Sequence, residues 1–105
     1  MITAAAKAGV MALTRCAAIE AAPFGVRINA VAPSIAMHAF LAKVTTDEVL
    51  DVLTSREAFG RAAEPWEIAN VIVFLASPRA HWINGRNVPV DGLEQPFPAP
   101  GRRGW

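Results

Sequence analysis

The chain has 105 residues, 53% of them hydrophobic and 18% charged, and its 10 basic and 9 acidic groups leave a net charge of +1. That length allows one small domain, the apolar content excludes wholesale disorder, and the near-neutral balance lacks the basic stripe that nucleic-acid binding requires. So apolar a composition also strains the interior that a chain of this size can close, which leaves apolar surface for a partner.

The opening Met1-Ile2-Thr3-Ala4 has neither the basic region nor the apolar stretch of a signal peptide. The longest apolar run, Val71 to Ala76, falls far short of the roughly 20 residues of a membrane span. Cys16 is the single cysteine and cannot form an internal disulfide. These features read as a cytoplasmic chain with no membrane role.

Ala4 to Ala22 is rich in alanine and straight-chain residues, with Gly9 as the one weak helix former, and predicts a first helix ending near Pro23-Phe24-Gly25. Val10, Leu13 and Ala17 share a face, and Ala4, Ala8, Ala12 and Ala18 permit close approach elsewhere, so this helix is expected to be buried on more than one side. Cys16 is expected to be a buried, inert thiol among the alanines. Val26 to Val31 begins as an alternating run and ends wholly apolar, the pattern of a strand covered on both faces and stopped by Pro33.

After a loop from Ser34 to Val44, Thr45-Thr46-Asp47-Glu48 has a hydroxyl three residues before a glutamate, the spacing of a capping box. It opens a short helix with Val49, Leu50 and Leu53 inward. Pro65 in Ala63-Glu64-Pro65-Trp66-Glu67 suits a first helical position, because its missing amide would have had no intrahelical acceptor. Ile68, Val71, Ile72 and Leu75 form the apolar stripe of this third helix, with Trp66 packed at its start and Ser77-Pro78 at its end. Asn87 to Gly92 predicts a last strand, which Pro89 confines to an edge or bulge.

The order helix, strand, helix, helix, strand links two strands by a helical crossover, a right-handed parallel connection if they share a sheet. The expected class is α/β, part of a doubly wound Rossmann-type parallel sheet with about three helices and two strands, incomplete as a domain. Residues 1–93 carry this segment. Residues 94–105 hold Pro96, Pro98, Pro100, Gly101 and Gly104 without apolar periodicity and read as a disordered or loosely docked tail.

The string Ala4-Ala5-Ala6-Lys7-Ala8-Gly9-Val10, then Leu13-Thr14-Arg15 and Gly25-Val26-Arg27-Ile28-Asn29-Ala30-Val31-Ala32-Pro33, resembles the short-chain dehydrogenase/reductase family. So do Gly60 to Asn70, Phe74-Leu75-Ala76-Ser77, Gly85 and Val90-Asp91-Gly92, in the family's order. The resemblance implies the family's carboxy-terminal part, from the catalytic helix to the last strand, and a cofactor of NAD or NADP. It also implies a catalytic tyrosine four residues before a lysine that binds the nicotinamide ribose. Lys7 matches the lysine, Thr3 stands at the tyrosine position, and the chain contains no tyrosine.

An aliphatic hydroxyl titrates well above a phenol, so Thr3 is not expected to act as the acid. The family's catalytic serine and glycine-rich pyrophosphate turn have no counterpart in the sequence, and neither NAD nor NADP is expected to bind this chain alone. Beyond the strand, the family's loop meets the nicotinamide carboxamide through positions matched by Pro33 and Ala36, although Ser34 and His38 replace its usual glycine and threonine. Pro33-Ser34-Ile35-Ala36, with the long run to Phe59-Gly60-Arg61, is similar to members that handle coenzyme A thioesters or steroid-derived ketones.

The plainer readings make Lys7 a solvated helix lysine, His38 and His81 structural, and Ser34 no nucleophile. No spacing suggests a metal site. Two classes of function follow. One is a fragment of an NAD(P)-dependent oxidoreductase acting on a carbonyl or alcohol, inactive as an isolated chain. The other is a non-enzymatic helical module that self-associates as a homo-oligomer or docks on a longer relative.

Overall fold

The structure, a computed structural model, describes residues 2–34 and 46–93 and, at Thr3 and Leu53, the backbone alone. Helix α1 (Ile2–Ala21) runs into a 3-10 turn (Ala22–Phe24), followed by strand β1 (Ala30–Pro33). Helices α2 (Asp47–Ser55) and α3 (Pro65–Ala76), a second 3-10 turn (Pro78–Ala80) and strand β2 (Asn87–Val90) complete the order. The three helices and two strands appear in the order that the sequence predicts. The tail at 94–105 lies outside the described residues.

β1 and β2 form a two-stranded sheet. The amide of Ala30 donates to Arg86 O (2.8 Å) and that of Ser34 to Val90 O (3.4 Å), so the pairs advance together along both strands, the parallel sense. The sheet is a small open piece of an α/β architecture. The chain divides into two compact units, Met1–Ala32 with Val71–Pro89 and Pro33–Asn70 with Val90–Trp105.

In the first unit, Gly25 closes the 3-10 turn after α1 with φ +71°, its amide bonding to Ala22 O at 3.0 Å. Only glycine adopts that left-handed geometry without a Cβ penalty. Ala18 of α1 is 2% exposed, and a Cβ built on Gly85 would lie 3.3 Å from the Ala18 Cβ, so two small residues set this close approach. Thr14 is also buried, donating its hydroxyl to Val10 O at 2.7 Å.

The start of β1 is fixed by side chains. The Arg27 guanidinium donates to Leu75 O (2.9 Å), Ser77 O (3.1 Å) and Ile83 O (3.2 Å), carbonyls at the end of α3 and in the turns beyond it. Asn29 donates to Ile83 O and accepts from the Arg86 amide, while Asn84 Oδ1 accepts from the Ile28 amide. The expected strand at Val26 to Val31 is therefore corrected to Ala30–Pro33: these side-chain bonds take up the backbone ahead of the ladder. The last strand likewise ends at Val90, with Gly92 in the bend beyond it.

In the second unit, α2 begins at Thr46, whose hydroxyl oxygen accepts from the Val49 amide (3.2 Å) and whose carbonyl takes the first helical bond from Leu50. The cap is thus Thr46 with Val49 rather than the expected Thr45 with Glu48, and Thr45 lies outside the described residues. At α3, Glu67 Oε1 accepts from the Glu64 amide (2.9 Å), the reciprocal half of a capping box, with Pro65 in the first turn as predicted.

Several expectations of burial are overturned. Val10 and Leu13 of α1 are exposed, as are Val49 of α2 and Ile72 and Trp66 of α3, and Cys16 is exposed too. Among the described residues, the buried apolar side chains are Ala18, Ala62, Leu75 and Ala80. The periodic faces exist, but these elements do not supply enough chain to cover them.

Candidate functional site

Helix α1 carries Thr3 and Lys7 one turn apart, so both positions share a face of the helix. Lys7 is exposed and has no hydrogen bond or ion pair among the described residues, which leaves its amine free to donate to a hydroxyl. Pro33 closes β1 and is exposed. It belongs to the second unit, whereas Thr3 and Lys7 belong to the first, and Ala36 and His38 lie outside the described residues. Of the predicted site positions, α1 brings together Thr3 and Lys7.

The second unit contains a cavity of about 220 Å³ lined by Ser34, Glu57, Phe59, Arg61, Glu67 and Asp91, among others. Ser34 is half-buried, its hydroxyl 3.4 Å from Asp91 O. Arg61 grips Glu67 with two donors, Nη1 to Oε1 at 2.6 Å and Nη2 to Oε2 at 3.0 Å. The guanidinium hydrogen bonds, followed by the Glu64 amide, lower the Glu67 carboxyl from 4.5 to about 2, and Glu67 in turn raises Arg61 above its ordinary value. Both groups stay charged at neutral pH, so neither is an acid or base for chemistry there. This fork was not singled out in the sequence; its signal is an arginine just ahead of a Glu-Pro-x-Glu helix start.

A dinucleotide pyrophosphate needs closely spaced glycines where a strand gives way to a helix N-terminus. Among the described residues, Gly25 closes a turn after a helix and Gly85 precedes β2, while α2 opens at Asp47 and α3 at Pro65. These residues do not fit the pyrophosphate. His81, exposed, has Nδ1 3.1 Å from Pro78 O. Among the described residues, no group of three or more His, Cys, Asp or Glu side chains is placed to hold a metal ion, and no helix is long and apolar enough to cross a membrane.

Helices beside two parallel strands are part of a Rossmann-type α/β sheet. Residues 1–92 match the family described as enoyl-(acyl carrier protein) reductase. The chain is 64% identical over 87 residues to a Mycobacterium tuberculosis protein, (5R,7aS)-5-hydroxy-7a-methyl-1-oxo-2,3,5,6,7,7a-hexahydro-1H-indene-carboxyl-CoA reductase, covering 83% of this chain and 33% of the relative. It is 48% identical over 88 residues to meso-2,3-butanediol dehydrogenase of Serratia marcescens, covering 84% and 35%. It is 42% identical over 89 residues to a 3-oxoacyl-(acyl-carrier-protein) reductase of Vibrio harveyi, covering 85% and 36%. The chain belongs to the short-chain dehydrogenase/reductases. It spans about a third of the length of these curated relatives.

Proposed function

We propose that this chain supplies the carboxy-terminal part of a cytoplasmic, NAD(P)-linked oxidoreductase that interconverts a carbonyl and an alcohol on a coenzyme A thioester. The observation that carries this reading is the 64% identity to a carboxyl-CoA reductase. In it, Lys7 holds the nicotinamide ribose, and the loop after β1, through Pro33 and Ala36, borders the carboxamide. The described residues do not fit the rest of the dinucleotide, so the chain by itself neither binds NADH or NADPH nor turns over substrate. Thr3 is no replacement for a phenolic acid.

The test is a chimera in which residues 1–92 replace the matching segment of the Mycobacterium tuberculosis reductase. With Thr3→Tyr, the chimera is expected to reduce that enzyme's substrate; with Thr3 retained, the rate falls by about 10² to 10⁴, the usual loss of a positioned acid. A Thr3→Tyr chimera that binds cofactor without turnover would overturn the reading. So would micromolar binding of NADH to the isolated chain, because the cofactor site would then lie in residues read here as lacking one.

A further inference from the structure

We propose that the groove along α2 is a docking site for the chain's own residues 101–105, with Arg102 and Arg103 paired to Asp47 and Glu48 and the Trp105 indole laid on Leu50. The inference needs neither the family nor the activity proposed above. Asp47, Leu50 and Asp51 fall at i, i+3 and i+4 on one face of α2 and, with Glu48 beside them, line an open cavity of about 580 Å³ that Gly60 and Ala62 complete, all within the second unit. Leu50 is half-buried and gives the groove an apolar floor.

Charge decides what fits there. Arg61, the basic group of the lining, is held by Glu67, whereas Asp47 and Glu48 are exposed and have no hydrogen bond or ion pair among the described residues. The groove therefore carries uncompensated negative charge, which repels a phosphate or carboxylate and favours a cation that brings an apolar group with it. Residues 95–105 have that composition: Arg102 and Arg103 are their charged side chains, and Trp105 follows two positions later. The chain also delivers them to the right place. Leu93 O accepts from the Ala58 amide at 3.2 Å, and Ala58 lies three residues past the end of α2 and two before Gly60, so the tail starts beside the groove. With Pro96, Pro98 and Pro100 favouring an extended chain of about 3.1 Å per residue, Arg102 can reach about 28 Å from Leu93. The face of α2 from Thr54 back to Asp47 needs only about 11 Å. An exposed ion pair is weak alone, but a tether of this length holds its partners at an effective concentration in roughly the millimolar range.

The test uses the full chain carrying Cys16→Ser and Gly104→Cys, with a nitroxide on the introduced thiol, and reads paramagnetic broadening of the Asp47, Glu48 and Leu50 amides at low salt. Arg102→Glu with Arg103→Glu should reduce that broadening by about threefold or more, and Trp105→Ala by about twofold. Salt of about 1 M, which screens charges within about 3 Å, should act like the arginine changes. Asp47→Asn with Glu48→Gln should match them too, with exchange of the Leu50 amide showing that α2 is still formed; the tail variants leave α2 itself untouched. Broadening that neither pair of charge changes reduces would overturn the proposal. So would broadening that passes from a nitroxide-labelled chain to an isotope-labelled one and is absent within a single chain, because the occupant would then be the tail of a second copy.

Discussion

Around the start of β1, the side chains of Arg27, Asn29 and Asn84 bond to groups 48 to 57 positions away in sequence, whereas the bonds of Thr46, Thr54, Ser55, Arg61 and Glu67 reach no further than six. A bond of the first kind forms only after a long loop has closed and its entropy has been lost; a bond of the second kind forms whenever a turn of helix does. The comparison teaches where stability is cooperative. Deleting a partner near β1 releases distant segments together, while deleting one between α2 and α3 loosens a single turn.

The largest effect should come from Arg27→Met, which keeps the apolar stem and removes the donors to three carbonyls of the α3 end and the loop after it. A loss of about 2 to 3 kcal/mol is expected, since these are charge-assisted bonds to partly buried acceptors. It is read as a lower unfolding midpoint of the Thr3→Tyr chimera. An unchanged midpoint would mean that the two regions do not differ in the way their bond lengths along the chain suggest.

Gly85→Ala sharpens the same side of the comparison through the backbone. The position has φ +70°, and the added Cβ would meet Ala18 Cβ at 3.3 Å and Arg15 Cα at 3.9 Å. Left-handed geometry and a tight neighbour together should cost about 1 to 2 kcal/mol. Gly25→Ala separates the two causes, because that site has φ +71° with nothing within 4 Å; it should cost less than Gly85→Ala in the same assay.

How much of this was legible in the sequence follows from the same distinction of reach. Local signals were readable: Pro65 at a helix start, Gly25 after a helix end, and the four-residue spacing that puts Thr3 and Lys7 on one face. What depends on distant partners was not. The β1 boundary slipped because Asn29 and Asn84 bond to backbone that an apolar pattern assigns to a ladder, and no short window shows that bond. Val10, Leu13, Val49 and Ile72 lie on periodic faces, but a face is buried only when something covers it, and Cys16 and Trp66 are exposed for the same reason. At the candidate site, the family segments point to Lys7, while the Arg61–Glu67 fork escapes them because each residue alone reads as solvated charge.

On the local side, Thr46→Ala removes the oxygen that accepts from the Val49 amide. Its cost should be about 0.5 to 1 kcal/mol, as for an exposed helix cap. Hydrogen exchange should show the loss confined to the first turn of α2, with the Ala30 amide unaffected. Spread of the effect to β1 would break the proposed separation of the two regions.

The smallest effect is the pH dependence of the Arg61–Glu67 fork. Glu67 titrates near about 2, below the ordinary 4.5, because Arg61 and then the Glu64 amide bond to its ionised form. A carboxyl whose folded value is depressed stabilises the fold fully above the unfolded value, and that contribution is lost as pH falls from about 4.5 through about 2. The pair is solvent-exposed, so screening keeps the gain small and salt should shrink it further. Glu67→Gln retains an oxygen for the Glu64 amide and removes the charge, so it should flatten the acid limb of stability over that window while leaving the start of α3 in place. A Glu67 carboxyl that titrates by NMR at its ordinary value would show that the fork does not persist in solution, and the order at this helix start would then rest on Pro65 and the helical bonds alone.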